Sequence, residues 1–144
     1  MVVVTGKIRG KARPRICRGH AFTPKDTVQY EKLVRNCYKQ QDGRYLEGPI
    51  KALIIAYYKI PKSYSKKRVQ AIRDELEKPT KKPDVDNIAK IILDSLNGVA
   101  YKDDSQIVDL RIIKSYTEET ERVEFESVSY THLRAHETDS YLVC

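Results

Sequence analysis

Cysteine, histidine and long apolar runs are all scarce in this chain. Its three cysteines, Cys17, Cys37 and Cys144, stand far apart with no CxxC pair. That spacing argues against a disulfide scaffold or a thiolate zinc cluster, and for free thiols in a reducing cytoplasm. The longest apolar stretch, Ile50 to Ile60, is interrupted by Lys51 and Lys59 and falls short of the roughly 20 apolar residues that cross a bilayer. Met1 to Lys7 lacks the basic segment and apolar run of a secretory signal, so neither export nor a membrane partner is expected. No GxxxxGKS/T or GxGxxG sequence cradles a phosphate, which excludes a nucleotide cofactor bound in that way.

What is present fits one charged globular domain. The 144 residues are 40% hydrophobic and 33% charged, enough apolar content for a single core under a heavily charged surface. Lys and Arg number 27 against 20 Asp and Glu, a net charge of +7, so the field of the protein draws polyanions and nucleic acid is the default partner.

The C-terminal segment stands apart. Val128 through Thr138, read with Asp139 to Cys144, resembles the in-frame translation of a transposase-based sequencing adaptor. Residues 128–144 are therefore expected to be a non-native, disordered tail and residues 1–127 the domain, although Val128 to Thr131 has enough β propensity to be a natural strand. Without the tail, the 27 bases fall to 26 and the 20 acids to 18, and His20 is the remaining histidine. A multi-histidine metal site or a Ser-His-Asp triad then has little to stand on, and chemistry falls to carboxylates.

Periodicity predicts the order β-α-β-α-α-β-β, an α+β fold with helices packed on a mixed sheet. The β-branched stretch Val2 to Ile8 reads as a strand running into the basic loop Arg9 to Arg15, a phosphate-contacting arm or a solvated charge run. Thr23-Pro24 opens a helix whose apolar face is Tyr30, Leu33, Val34 and Cys37, with Gln41 near its end at Asp42-Gly43. Ala52 to Tyr58 reads as a central strand covered on both faces. A helix from Ser63 to Glu77 carries Lys66 and Lys67, and Lys81 and Lys82 lie in the loop after it. The next helix, capped by Asp86 and ended by Gly98, buries Ile88, Ile91, Ile92 and Leu96 and shows Asn87, Lys90 and Asp94 on a polar stripe. Gln106 to Tyr116, with Ile107, Leu110 and Ile112, pairs across a turn with a last strand around Val123 and Phe125.

The chemistry centres on acids. Asp84 and Asp86, in extended conformation before a helix, project to one side, and the chain can return past Gly98 to bring Asp103 and Asp104 near them. Carboxylates gathered at neutral pH call for a hard cation, Mg2+ or Mn2+, which can activate water for phosphodiester hydrolysis. Lys90, one turn after Asp86, could neutralise a phosphate oxygen. A purely structural reading stays open, with Asp86 as a cap, Asp84 on the surface and Asp103-Asp104 in a turn. Calcium sensing is excluded, since Asp84 to Lys90 lacks the Gly and terminal Glu of an EF-hand loop.

The runs Lys82-Pro83-Asp84-Val85-Asp86-Asn87-Ile88-Ala89-Lys90, Leu93-Asp94-Ser95-Leu96-Asn97-Gly98 and Lys102-Asp103-Asp104-Ser105-Gln106-Ile107-Val108 resemble the signature of the RusA-type Holliday-junction resolvases. Arg13-Pro14-Arg15 and Thr23-Pro24 resemble the family's opening, so the likeness spans residues 2 to 127. It implies a small homodimeric, Mg2+-dependent endonuclease, often prophage-borne, that resolves four-way DNA junctions by paired nicks. Asp84, Asp86 and Asp104 match its essential carboxylates and Lys90 its functional lysine, with Asp103 as metal ligand or support for Asp104. Arg13, Arg15, Lys66, Lys67, Lys81 and Lys82 are the expected DNA contacts, and the setting is a bacterial or phage-encoded protein of the cytoplasm, associated with the nucleoid. A non-catalytic DNA-binding protein, and a nuclease for other branched DNA or RNA, are the alternatives.

Overall fold

In a computed structural model of the chain, residues 1–11, 15–17, 19–22 and 25–130 are described, with the backbone alone for 15–17 and 20–22. The elements are β1 (Val2–Thr5), β2 (Arg15–Cys17), β3 (His20–Phe22), α1 (Lys25–Gln41), β4 (Ile50–Lys59), α2 (Lys66–Arg73), α3 (Val85–Ser95), β5 (Ile107–Thr117) and β6 (Arg122–Ser129). The expected α+β order holds, with one addition. Part of the basic loop folds into a hairpin, with Arg15 opposite Phe22 and Cys17 opposite His20.

The main sheet runs β1-β6-β4-β5. β4 pairs antiparallel with β6 and parallel with β5, so β4 is central, as its apolar run implies. The hairpin expected between residues 106–116 and the last strand does not form, because β4 inserts between β5 and β6. Its burial is nevertheless one-sided. Ile50, Ala52, Ile54, Ala56 and Tyr58 are buried, whereas Leu53, Ile55 and Tyr57 on the other face are half-buried. That second face carries charged side chains, and the Arg122 guanidinium covers the Tyr57 ring at 4.3 Å, so a long cationic side chain replaces the expected second layer.

The core lies between the first face and the two helices α1 and α3. Val2, Val4, Val123 and Phe125 extend the β4 surface, and Ile88, Ile91, Ile92 and Leu96 seat α3 on it. The buried side of α1 is Thr27, Tyr30, Val34 and Tyr38, rotated from the expected one. Leu33 is exposed, and Tyr38 enters because its hydroxyl donates to the Arg44 carbonyl at 2.5 Å. Gln41 bonds the Val3 N–H and C=O with its side-chain amide, protecting the free edge of β1. Cys37 is a free, half-buried thiol, and burial pushes its pKa up.

The elements also differ from the sequence reading in detail, and β1 ends at Thr5 rather than Ile8. α2 is only Lys66–Arg73, capped by Ser65, and Leu76 is exposed beyond it because Glu75 turns the chain at φ 59°. In β5 the register slips between Ile50 and Lys51, which face Ile107 and Asp109. The extra residue, Val108, lets Ile107 join the same side as Leu110 and Ile112 despite the odd spacing. Finally, β6 continues to Ser129, so Val128 and Ser129 pair with Lys51 and Ile50, two residues into the adaptor-like segment. Residues 131–144 lie outside the described residues.

Candidate nucleic-acid cleavage site

α3 organises the site. Its apolar stripe is locked into the core, which fixes the direction of its polar stripe. The helix begins two residues earlier than expected, with Asp84 as N-cap (φ −69°, ψ 154°) and Asp86 inside the first turn. This corrects the reading of Asp84 and Asp86 as parallel side chains of an extended segment. Asp84 is extended and Asp86 helical, at the same helix end. Both are exposed, and the Asp84 side chain caps no backbone N–H. It stays available beside the positive end of the helix dipole.

Asp84 lines a cleft of about 500 Å3 between the loop after β1 and the start of α3, together with Lys7, Arg9, Lys11, Lys82 and Asn87. Beneath it, Tyr58 reaches to 3.5 Å from the Pro83 carbonyl. Burial first, then the charges of Glu121 and Asp84, push this phenol up to about 12. Lys81 and Lys114 place their ammonium groups 5.2 and 5.4 Å from the same ring, and Lys114 Nζ donates to the Lys81 carbonyl. A buried phenol thus supports the Lys81–Asp84 loop, and two cations stand near its ring.

Asp104 lies in the 3-10 turn Asp104–Gln106, which Asp103 caps by accepting the Ser105 N–H at 3.1 Å while its own N–H donates to Gln106 Oε1 at 3.0 Å. Hydrogen bonds from Ser105 hold the Asp103 carboxyl below the usual range. Asp104 behaves oppositely, since burial first and then the adjacent Asp94 carboxylate push its carboxyl up. Below this pair the buried Tyr101 hydroxyl donates to the Leu93 carbonyl at 2.6 Å.

Asp94 is the neighbour of Asp104 that the sequence did not single out, although its place on the polar stripe with Asn87 and Lys90 was legible. Eight residues of helix separate it from Asp86, about 12 Å along the axis. The expected carboxylates therefore fall into two groups, Asp84 with Asp86 at the start of α3, and Asp104 with Asp94 near its end. Among the described residues no three acid, histidine or cysteine side chains converge at a spacing that could hold a metal ion. Asp84, Asp86, Asp103 and Asp104 do not fit a single ion shell within this one chain.

Lys90 is exposed on α3, one turn beyond Asp86. Lys66 and Lys67 are exposed at the start of α2, apart in sequence and element from the exposed Lys81 and Lys82. Arg13 and the Arg15 side chain lie outside the described residues.

Residues 5–126 match the family described as Endodeoxyribonuclease RusA. The chain belongs to that family. It is also 43% identical over 120 residues to "Uncharacterized protein YqaN" of Bacillus subtilis (strain 168), an alignment covering 81% of this chain and 83% of that protein. RusA-type nucleases act on junction DNA and are in general dependent on divalent metal. The acids of α3 and the following turn thus sit in a RusA-family fold. No described helix is long and apolar enough to cross a membrane.

Proposed function

We propose that this chain is a structure-selective endodeoxyribonuclease that resolves Holliday junctions by paired symmetric nicks in recombination and repair, as a homodimer in the cytoplasm of a bacterial or phage-infected cell, associated with the nucleoid. The observation that carries the reading is the placement of the RusA-type run Lys82 to Lys90. It puts an uncapped Asp84 at the head of a helix and on the wall of a cleft rich in basic side chains. Asp84, Asp86 and Asp104 are the proposed essential carboxylates, with Asp103 supporting Asp104.

The substrate is a polyanion, and the residues divide the work accordingly. Lys66, Lys67, Lys81, Lys82, Arg13 and Arg15 bind backbone phosphates, which makes affinity steeply salt-dependent. Lys90 neutralises phosphate charge as water displaces the leaving oxygen of the phosphodiester. A junction has two-fold symmetry, and a two-fold pair of chains presents two equivalent sites for two cuts. Mg2+, with Mn2+ as substitute, is the proposed cofactor on the strength of the family's general need for divalent metal. Residues 1–127 are the proposed endonuclease domain, with the adaptor-like residues 128–144 outside its function.

The test incubates the chain with a labelled four-way junction and a matched linear duplex, in Mg2+ and in chelator, beside Asp86→Asn. Symmetric metal-dependent nicks on the junction, absent in Asp86→Asn while that variant still shifts the junction in a gel, are the expected result. Junction binding with no nicks in Mg2+ or Mn2+ would mean a non-catalytic DNA-binding protein. Equal cutting of linear duplex, flaps or RNA would mean a nuclease of different selectivity.

A further inference from the structure

The basic run after β1 reads as a set of phosphate contacts, yet one of its cations is turned inward. Lys11 Nζ lies 3.0 Å from Glu31 Oε2 on α1 and 3.6 Å from Asp94 Oδ2 on α3. The three side chains are 21%, 14% and 22% exposed. The Lys11 backbone N–H also donates to the Asn87 carbonyl at 2.9 Å. Next to it, Gly10 lies so close to the start of α3 that a Cβ there would stand 2.7 Å from Pro83 Cβ and 3.1 Å from Asn87 Cβ. The segment therefore grips α3 twice, by its backbone at Asn87 and by its ammonium at Asp94, seven residues on and on the same helix face.

This arrangement has an electrostatic reason. Asp94 and Asp104 are adjacent, partly exposed carboxylates, and Glu31 adds a third acid on the other side of Lys11. Like charges so placed repel, and an ammonium at ion-pair distance from two of the acids offsets that repulsion in a medium less polar than water. A DNA phosphate would have to compete with both carboxylates for the same three N–H donors. Arg9 differs, since its pair with Asp26 at 3.7 Å involves side chains 41% and 71% exposed.

We infer that Lys11 is a positioning residue: its ammonium, held between Glu31 and Asp94, fixes the Asp94 carboxylate and through it Asp104, and it does not bind a DNA phosphate. The consequence for Asp104 rests on the endonuclease reading, whereas the inward role of Lys11 does not.

The test uses the full chain and compares Lys11→Met, Lys11→Arg and Lys82→Met with the parent. In chelator, Lys11→Met should keep the parental junction affinity and salt slope, while Lys82→Met loses about one unit of slope. In single-turnover nicking at saturating protein, Lys11→Met should slow the reaction about 10- to 100-fold with an unchanged half-saturating concentration. Lys11→Arg, which restores the charge, should recover most of the rate. The falls in Tm for Lys11→Met and Asp94→Asn should be non-additive, because the two residues share one contact.

A reduced salt slope in Lys11→Met overturns the inference, as do additive Tm shifts or nicking at the parental rate. If the parent nicks no DNA, the endonuclease reading falls, and the salt slope and the Tm cycle still decide the role of Lys11. If Lys11→Met does not fold, Lys11→Gln carries the same measurements.

Discussion

A single methyl group at Gly10 should pry the loop after β1 off α3. The Cβ of Gly10→Ala would stand 2.7 Å from Pro83 Cβ and 3.1 Å from Asn87 Cβ, where carbon atoms prefer about 3.5 to 4.0 Å. The loop or the head of α3 must therefore yield by about 1 Å. Gly10 is absent from the positive-φ glycines, so the cost is steric rather than conformational. Overpacking of this kind costs about 1 to 3 kcal/mol, and the loss of glycine's freedom in the unfolded chain offsets about 0.4 to 1 kcal/mol of it. A net loss of about 1 to 2 kcal/mol corresponds to a fall in Tm of about 3 to 6 °C for a domain of this size. Gly98→Ala is the matched control. Nothing lies within 4 Å of its Cβ, but its φ is +77°, so its cost of about 1 to 2 kcal/mol is conformational. Thermal unfolding gives both totals, and amide exchange separates them. Gly10→Ala should expose the Lys11 N–H that now bonds Asn87, while Gly98→Ala should leave it protected. A Gly10→Ala protein with parental Tm and a protected Lys11 amide would refute the close packing of this loop on α3.

Two further outcomes follow from the acids and the tyrosine beneath them. Tyr101→Phe removes the donor to the Leu93 carbonyl from a fully buried position. It should cost about 1 kcal/mol in denaturant unfolding, and an unchanged midpoint would mean that the carbonyl finds another partner. Asp104→Asn tests linkage, since the folded state raises the Asp104 pKa. Between the unfolded value and the raised folded one, the folded state holds the extra proton, so stability falls as pH rises through that window and the penalty persists at neutral pH. Measured in chelator, the variant should be more stable than the parent at pH 7, with the difference closing at acid pH. A variant less stable at pH 7 would contradict this.

The elements were legible wherever burial and periodicity coincide. The stripe Ile88, Ile91, Ile92 and Leu96 on α3 and the pair Val123 and Phe125 on β6 were read correctly, because each apolar side chain there is inside. Errors arose where an apolar residue is not buried or a polar group decides the geometry. Leu33 yields its place to Tyr38, whose hydroxyl has a carbonyl to bond. The long apolar run of β4 implied two covering layers, but half of it is shielded by side chains such as Arg122. For the site, residue types and the polar stripe were readable. The grouping of the acids was not, because it depends on whether the helix starts at Asp84 or after Asp86. A shift of two residues rotates a carboxylate by more than half a turn.

That dependence gives α3 a double duty. A flexible loop could bring distant carboxylates together only by losing chain entropy each time, whereas a helix held by four buried aliphatic side chains keeps its polar groups at fixed spacing. The same rigidity prevents Asp86 and Asp94 from approaching one another. The flanking segments therefore adjust to the helix: the Lys81–Pro83 loop rests on Tyr58 at its head, the turn bearing Asp104 meets Asp94 near its end, and Lys11 ties Asp94 to α1. Substitutions in these segments should alter the site while leaving the sheet intact, whereas a loss of packing under Ile91 or Ile92 should unseat both groups of acids at once.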